Sequence, residues 1–372
     1  MKYRLKDIFD LQMGKTPARN NDDYWNTEDY KWISIADLSK AGKYISKTKE
    51  HLSKTAIDDS GIKVIPANTV VMSFKLSIGK VAITSENMYS NEAIMAFHDK
   101  HVIDMLPEYI FYMFMYKKWD EVGNKAVMGK TLNKAILSNV EIDICPVEEQ
   151  RNIVKKLDKM MNILEYRKRE LESLDDIIKA RFVEMFGNPI RNTQNRKTTE
   201  FINVVKMQRG FDLAVQKRKQ DGNIPVYGSN GVLDYHNEAK VKNGGIITGR
   251  SGTIGKVFFT EGDYWPLNTT LFSVDKHANN VVYLSYLLEL FDLTRFAEGT
   301  GVPTLNRNMF HKKQIIDVPI EEQNQFADFV HQVDKSKVIS ENQLKNIAIL
   351  LTICSTIYIN MNGKMGRVLY DN

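Results

Sequence analysis

Residues 148–186 read EEQRNIVKKLDKMMNILEYRKRELESLDDIIKARFVEMF, and the spacing within them decides the fold. Apolar residues recur at alternating intervals of four and three: Ile153, Leu157, Met160, Leu164, Leu171, Leu174, Ile178 and Met185, with Arg167 and Arg181 breaking the row. That is a heptad seam, the mark of a helix that packs lengthwise against another helix. Pro146 and the acidic turn Glu148-Glu149-Gln150 mark its start, since carboxylates favour the positive end of the helix dipole; Gly187-Asn188-Pro189 marks its stop. At about 1.5 Å per residue the helix is a rod about 55 Å long.

A bare seam is unstable in water, and the chain supplies a partner for it. Pro319-Ile320-Glu321-Glu322-Gln323 repeats Pro146-Val147-Glu148-Glu149-Gln150 at an offset of 319 − 146 = 173. Phe326, Val330, Val333, Leu344, Ile347 and Leu351 then fall 173 after Ile153, Leu157, Met160, Leu171, Leu174 and Ile178. Lys337 and Ser340 stand where the first helix has Leu164 and Arg167, so the second seam is weaker in its middle.

The segments between the helices repeat as well. Leu11-Gln12-Met13-Gly14 returns as Met207-Gln208-Arg209-Gly210, Ile78-Gly79-Lys80-Val81 as Ile254-Gly255-Lys256-Val257, and Thr131-Leu132-Asn133 as Thr304-Leu305-Asn306. Their offsets are 208 − 12 = 196, 254 − 78 = 176 and 304 − 131 = 173, so the middle of the first segment, 15–77, is longer than its counterpart 211–253. Internal repeats outrank local motifs as guides to architecture. The expected fold class is α+β: two tandemly repeated α/β domains, 1–145 and 187–318, alternating with long helices, 146–186 and 319–360, and a tail 361–372. Strands are expected at 69–74, 81–84, 245–248 and 257–260, paired across the Ile-Gly-Lys turns, and helices at 107–117 and 280–291. The run 347–361 reads as the buried end of the second helix, too short and too polar to cross a membrane.

Composition narrows the class. With 43% hydrophobic and 26% charged residues, the chain resembles a globular protein rather than a disordered, fibrous or membrane one. A formal charge of +5 is compatible with nucleic acid without indicating it. Cys145 and Cys354 form no CxxC pattern, and the first residues carry no apolar leader, so the expectation is a reduced, cytoplasmic setting.

Catalytic motifs do not assemble. Gly249-Arg250-Ser251-Gly252-Thr253-Ile254-Gly255-Lys256 suggests a phosphate loop, but five residues separate Gly249 from Gly255 and Val257 follows the lysine where Ser or Thr and a helix are needed. A tight hairpin offering a lysine and backbone N–H groups to a DNA phosphate fits those residues better. His98, His101 and His311 read as ordinary residues rather than metal ligands, and Glu261-Gly262-Asp263 as a turn. Asn188-Pro189-Ile190 lacks the second proline and the aromatic of an amino-methyltransferase loop. The expectation is therefore no catalytic residue and no metal.

Basic residues on loops remain: Lys15, Arg19, Lys75, Lys80, Lys130 and Lys134 in the first domain, and Arg209, Lys217, Arg218, Lys219, Arg250, Lys256 and Arg307 in the second. Lys and Arg outnumber Asp and Glu by 17 to 12 in residues 190–318 but only by 20 to 19 in residues 1–145. For any one of them a solvated surface charge is the plainer reading; Lys80 and Lys256 stand out because they recur at matching positions. Arg and Lys on loops are also the side chains that read guanine in the major groove.

These phrases together carry a resemblance. Gly14-Lys15-Thr16-Pro17 followed by Tyr24-Trp25, then Trp32 to Leu38, then Ile224 to Gly231 and Gly245 to Arg250, with both Pro-x-Glu-Glu-Gln turns, resemble the specificity subunit of type I restriction-modification systems over about residues 1–350. The resemblance implies two target-recognition domains, each reading half of a bipartite, gapped DNA target. It further implies two antiparallel helices that set the gap and dock DNA methyltransferase subunits, and a restriction subunit that can join. Unequal domains imply an asymmetric target. S-adenosylmethionine, ATP and Mg²⁺ would then belong to partner subunits, with no cofactor in this chain. The sequence departs from the family after Leu344, where an apolar run replaces a second charged helix. A self-contained DNA methyltransferase or endonuclease, and a coiled-coil scaffold, are the alternatives.

Overall fold

The computed structural model describes residues 1–360 apart from Leu76, Asp120, Glu121, 123–131, 219–220, Thr300 and Val302, and gives the backbone alone for 356–360. Lys130, Lys219, Thr131 and the expected tail 361–372 thus lie outside the described residues. The chain divides into two compact units, one holding residues 1–166 and the described residues from 343 onward, the other holding 167–342. Each joins one repeated domain to part of both long helices.

In the first unit a five-stranded sheet runs in the order Phe9–Met13, Ile94–Asp99, Val70–Ser73, Val81–Thr84, Tyr44–Ile45. A three-stranded sheet beside it runs Glu50–Leu52, Tyr30–Ile33, Tyr89–Ser90. The second unit repeats both with one edge strand fewer: Lys206–Arg209, Thr270–Asp275, Gly245–Gly249, Val257–Thr260, and then Gly231–His236, Ile224–Gly228, Trp265–Pro266. Val70–Ser73 pairs antiparallel with Val81–Thr84, and Gly245–Gly249 with Val257–Thr260. Val70, Val71 and Met72 form an unbroken apolar run because both faces are covered. Val70 and Met72 meet the helix Pro107–Tyr116, while Val71 meets Ile33, Leu38 and Ile45. The longer middle of the first domain is not simply loop. It holds three short helices, Asp22–Trp25, Ile35–Lys40 and Lys54–Ser60, whose first turns are capped by the side chains of Asn21, Ser34 and Ser53.

Both long helices are continuous, Val147–Phe186 and Ile320–Asn360. Their pairing is antiparallel. In the second unit the start of one, Phe326, Ala327 and Val330, shares a core with the end of the other, Ile178, Phe182 and Phe186. In the first unit Leu351 and Cys354 share a core with Ile153, Leu157, Met160 and Leu164. Of the remaining seam residues, Leu171, Leu174, Val333, Leu344 and Ile347 are half-buried. The weak middle is polar by construction: Lys337 reaches Asp175 at 2.6 Å and Asp334 at 3.2 Å, and Ser340 is buried.

Two expectations are corrected. Near its end the first helix buries Phe182 and Phe186 more deeply than Met185, because a straight helix drifts from a strict seven-residue repeat and the domain core supplies a second covering surface. Phe182 stacks on Tyr283 at 5.7 Å and meets Phe326 edge-on at 5.4 Å. As far as residue 355 the run from Ile347 is not buried all round: Ile349, Leu350 and Ile353 are 57%, 52% and 48% exposed, and one face, carrying Leu351 and Ser355, is covered.

The repeated Pro-x-Glu-Glu-Gln turn has a definite task. Gln150 is fully buried; its amide oxygen accepts from Leu106 N–H at 2.9 Å and its amide nitrogen donates to the carbonyls of Asp104 and Cys145 at 3.0 and 2.8 Å. Gln323 does the same, accepting from Asn280 N–H at 2.9 Å and donating to Asn279 Oδ1 and Val318 O at 2.6 and 2.8 Å. Leu106 and Asn280 are the residues that open the helices Pro107–Tyr116 and Val281–Phe291. Each glutamine therefore ties the start of a long helix to the start of its domain's own helix. Gln150→Leu or Gln323→Leu keeps the volume and leaves three part-buried or buried polar groups without their partner. Urea unfolding is expected to show a loss of about 2–4 kcal/mol for either; a loss below that of an ordinary surface substitution would contradict the tie.

A second internal tie titrates. His311 is buried, and its Nε2 accepts from Met207 N–H at 3.2 Å, which requires a neutral ring. Burial, then Arg307 and Lys206, hold its pKa below the usual histidine value. The unfolded chain therefore binds the proton more readily, so stability is present above about pH 6.5 and lost as pH falls below it through the lower folded-state pKa. His311→Gln retains an acceptor without titrating. Unfolding midpoints compared between pH 7.5 and 5.5 should fall less in this variant than in the wild type; equal falls would contradict the assignment.

Candidate nucleic-acid interface

At one end of each main sheet the repeat places the same backbone under different side chains. Gly14 and Gly210 follow the strands Phe9–Met13 and Lys206–Arg209. Gly14 N–H donates to Ile94 O at 3.2 Å and Lys15 N–H to Ser90 O at 2.8 Å; Gly210 N–H donates to Thr270 O at 3.1 Å and Phe211 N–H to Pro266 O at 2.8 Å. A Cβ on either glycine would collide with carbonyl oxygens, those of Ser90 and Asn91 or of Pro266 and Leu267. This close approach is why Gln-x-Gly recurs in the sequence.

Each glycine leads into a junction of loops. In the first domain the Thr16 hydroxyl donates to Glu92. That hydroxyl and the Glu92 backbone, with Lys75 and Arg19 nearby, hold the Glu92 carboxyl below the usual range. In the second domain the pair is inverted: the Asn268 amide donates to Asp212, which also lies 3.7 Å from Arg209. Phe74 N–H donates to Ala93 O at 2.9 Å, and Arg250 N–H to Thr269 O at 2.8 Å, so Phe74 and Arg250 occupy matching positions. The Arg250 guanidinium turns back to Asn268 O at 3.2 Å, while Lys75 lies 5.3 Å from the Phe74 ring.

The two Ile-Gly-Lys turns close the hairpins beside these junctions. Gly79 and Gly255 have φ of 84° and 93°, a conformation that favours glycine. Val81 and Val257 begin strands, as a hairpin demands and a phosphate loop does not. Lys80 and Lys256 are both exposed at the turns, with Lys256 Nζ 2.7 Å from Asn230 Oδ1. Lys134 and Arg307 open short helices whose first turns are capped by Asn133 and Asn306. Arg307 is brought to the second junction, since Leu305 N–H donates to Arg250 O at 2.7 Å and Ser251 bridges Thr304.

In the second domain Arg209 and Arg250 therefore meet at the Asp212–Asn268 junction, while Lys256 stands beside Asn230 at the hairpin turn and Arg307 follows the strand that bonds to Arg250. In the first domain Arg19 and Lys75 gather about Glu92, and Lys15 Nζ turns to Ser60 O. Arg19 differs from the rest: its guanidinium makes two contacts with Glu50 and lies 3.8 Å from the centre of the Trp25 ring. Sequence reading missed Thr16, Glu50, Glu92, Asp212 and Asn268, because their partners lie far along the chain and no local spacing marks them. Among the described residues no three His, Cys, Asp or Glu side chains group as metal ligands, and no helix is long and apolar enough to cross a membrane.

Comparison with known proteins bears on this surface. The family model described as type I restriction modification DNA specificity domain matches residues 1–175 and again 191–348. The MjaIX specificity subunit of Methanocaldococcus jannaschii is 27% identical over 203 residues, 54% of this chain and 45% of its own length. The chain thus spans less than half of that relative. The EcoprrI specificity subunit of Escherichia coli is 20% identical over 365 residues, 89% of this chain and 86% of its own. Among solved structures, the S subunit of the type I system of M. genitalium superposes with a TM-score of 0.55 at 14% identity, covering 96% of each chain. A chain from a structure of type I R-M complex assembly and conformational transition gives 0.62 at 13% identity, covering 96% of this chain and 97% of its own. The fold is shared with both, and the doubled family match falls on the doubled architecture: the chain belongs to the type I restriction modification DNA specificity family.

Proposed function

We propose that the chain is the non-catalytic specificity subunit of a type I restriction-modification complex, each domain reading one half of a bipartite, gapped DNA target. The observation that carries this reading is the pair of matched loop junctions. They share a backbone frame, and they present Thr16, Phe74 and Glu92 in one domain against Asp212, Arg250 and Asn268 in the other. One frame with two side-chain sets reads two different half-sites, so the target is asymmetric. Lysines at the hairpin turns supply phosphate contacts, which fix register without reading sequence. Arg, Asn and carboxylate groups at the junctions supply the chemistry that distinguishes base edges in the major groove. The helix pair sets the gap and docks methyltransferase subunits, and S-adenosylmethionine, ATP and Mg²⁺ are held by those and a restriction subunit. Family membership supports this reading over a self-contained methyltransferase or endonuclease and over a pure scaffold.

Fluorescence anisotropy of the full chain on duplex DNA across a salt series tests the loop surface. Affinity should fall steeply with salt, and Lys80→Ala and Lys256→Ala should each reduce the log–log slope by about one, with weakening that does not depend on sequence. A shallow slope, untouched by both substitutions, would point to protein contacts and to the scaffold.

A further inference from the structure

Arg19 and Arg218 look alike in three dimensions although no sequence register relates them. Arg19 lies 19 − 14 = 5 residues past Gly14, and Arg218 lies 218 − 210 = 8 past Gly210. Arg19 contacts Glu50 through both terminal nitrogens, at 2.5 and 3.2 Å. Arg218 Nη1 lies 3.7 Å from Asp234, with both side chains largely buried, and its Nη2 donates to Leu213 O at 3.4 Å. The two carboxylates occupy the same place in the repeated three-stranded sheet: Glu50 pairs across from Trp32, and Asp234 across from Val226, on the same side of each central strand. Each arginine belongs to the loop that leaves the wedged glycine and returns as that central strand. Each loop is therefore held at its start by the glycine, at its end by the strand, and in its middle by an arginine paired to a carboxylate of the outer strand.

We infer that these two ion pairs are clasps that position the recognition loops, and that Arg19 and Arg218 act on DNA specificity through loop geometry and not as phosphate contacts. The guanidinium of Arg19, half exposed, also packs against aromatic rings. It lies 3.8 Å from the Trp25 ring centre and 4.8 Å from that of Trp32, and the two tryptophans meet edge-on at 5.0 Å. Trp25 and Trp32 donate in turn to Ala18 O and Lys15 O, both at 3.1 Å, which fixes the backbone that carries Lys15 and Thr16. A planar, delocalised cation with a fork of donors suits this double duty, and lysine would not replace it. A clasp whose charges cancel releases few counterions when DNA binds, whereas a phosphate contact releases about one.

The inference rests on the DNA-reading function proposed above, and charge sign separates the two. The full chain, assembled with its methyltransferase subunits, is titrated with a duplex carrying its mapped methylation motif and with a scrambled duplex, for Arg19→Ala, Glu50→Ala and the double variant. Each single substitution should weaken the specific duplex by roughly tenfold, the double by no more than either alone. The salt slope and the affinity for scrambled duplex should stay unchanged. Glu50→Ala carries the decision, because removing a negative charge near a DNA surface should otherwise tighten binding. Methylation in cells should relax in the half-site read by the first domain and stay intact in the other, which general destabilisation would not produce; Arg218→Ala and Asp234→Ala should give the mirror result. A slope lowered by about one in Arg19→Ala, tighter binding in Glu50→Ala, or no change in either overturns the clasp. A wild-type complex that does not prefer its motif duplex overturns the DNA-reading function itself, and the clasp with it.

Discussion

The buried carboxamide at the start of each long helix is the interaction on which the rest of each unit depends. A helix start leaves backbone N–H groups without intrahelical partners, and a loop leading into it leaves carbonyls in the same state. Gln150 and Gln323, both buried, satisfy one such donor and two acceptors each, at 2.6 to 3.0 Å. A carboxamide is suited to the task, since it accepts and donates at once and brings no charge that burial would penalise. Removing it would cost more than the hydrogen bonds contribute wherever a stranded group, such as the Val318 carbonyl, stays desolvated. The result is a fixed joint between long helix and domain, made twice with the same chemistry.

From that joint outward, constancy and variation separate by depth. The sheets, the wedged glycines and the hairpin turns repeat in backbone terms, and their cores hold dense aromatic contacts such as Phe182 with Phe186 and Tyr283. Side chains at the loop junctions do not repeat. Thr16 and Glu92 face each other where Asp212 and Asn268 do in the second domain, with donor and acceptor exchanged between the segments. A frame held by buried packing can carry different polar groups on its rim without refolding. Reading two unlike DNA halves asks for such a division of labour.

Much of the frame was legible in the sequence because it is periodic or repeated. The heptads, the Pro-x-Glu-Glu-Gln turns and the Ile-Gly-Lys hairpins each announce themselves through spacing, and the helix Pro107–Tyr116 announces itself through its proline start and apolar run. Where the sequence misled, a tertiary influence intervened. Phe182 and Phe186 are buried by a domain core that the seven-residue count does not register, and the run after Ile347 looked buried because apolar content reveals nothing of which faces are covered. A repeated Asp-Lys-His turn also went unread. Asp99 and Asp275 accept from the N–H of His101 and His277, at 2.7 and 2.8 Å, where each histidine adopts a positive φ. Arg19 is the sharpest case at the site: as sequence it is one more loop cation, and only the fold brings Glu50 to it across 31 residues. The inverted polar pairs were invisible for the same reason, since each joins segments 56 or more residues apart.

The central claim is that two domains on one frame read two different halves of one DNA target. The most direct test is single-molecule sequencing of N6-methyladenine in cells that carry the methyltransferase subunit, with this chain, without it, and with residues 187–318 replaced by the matching domain of another family member. The account predicts a two-part asymmetric motif with a fixed gap, methylated only when the chain is present, and altered in one half alone by the exchange. A motif that persists without the chain, or one that changes in both halves on exchange, would contradict it.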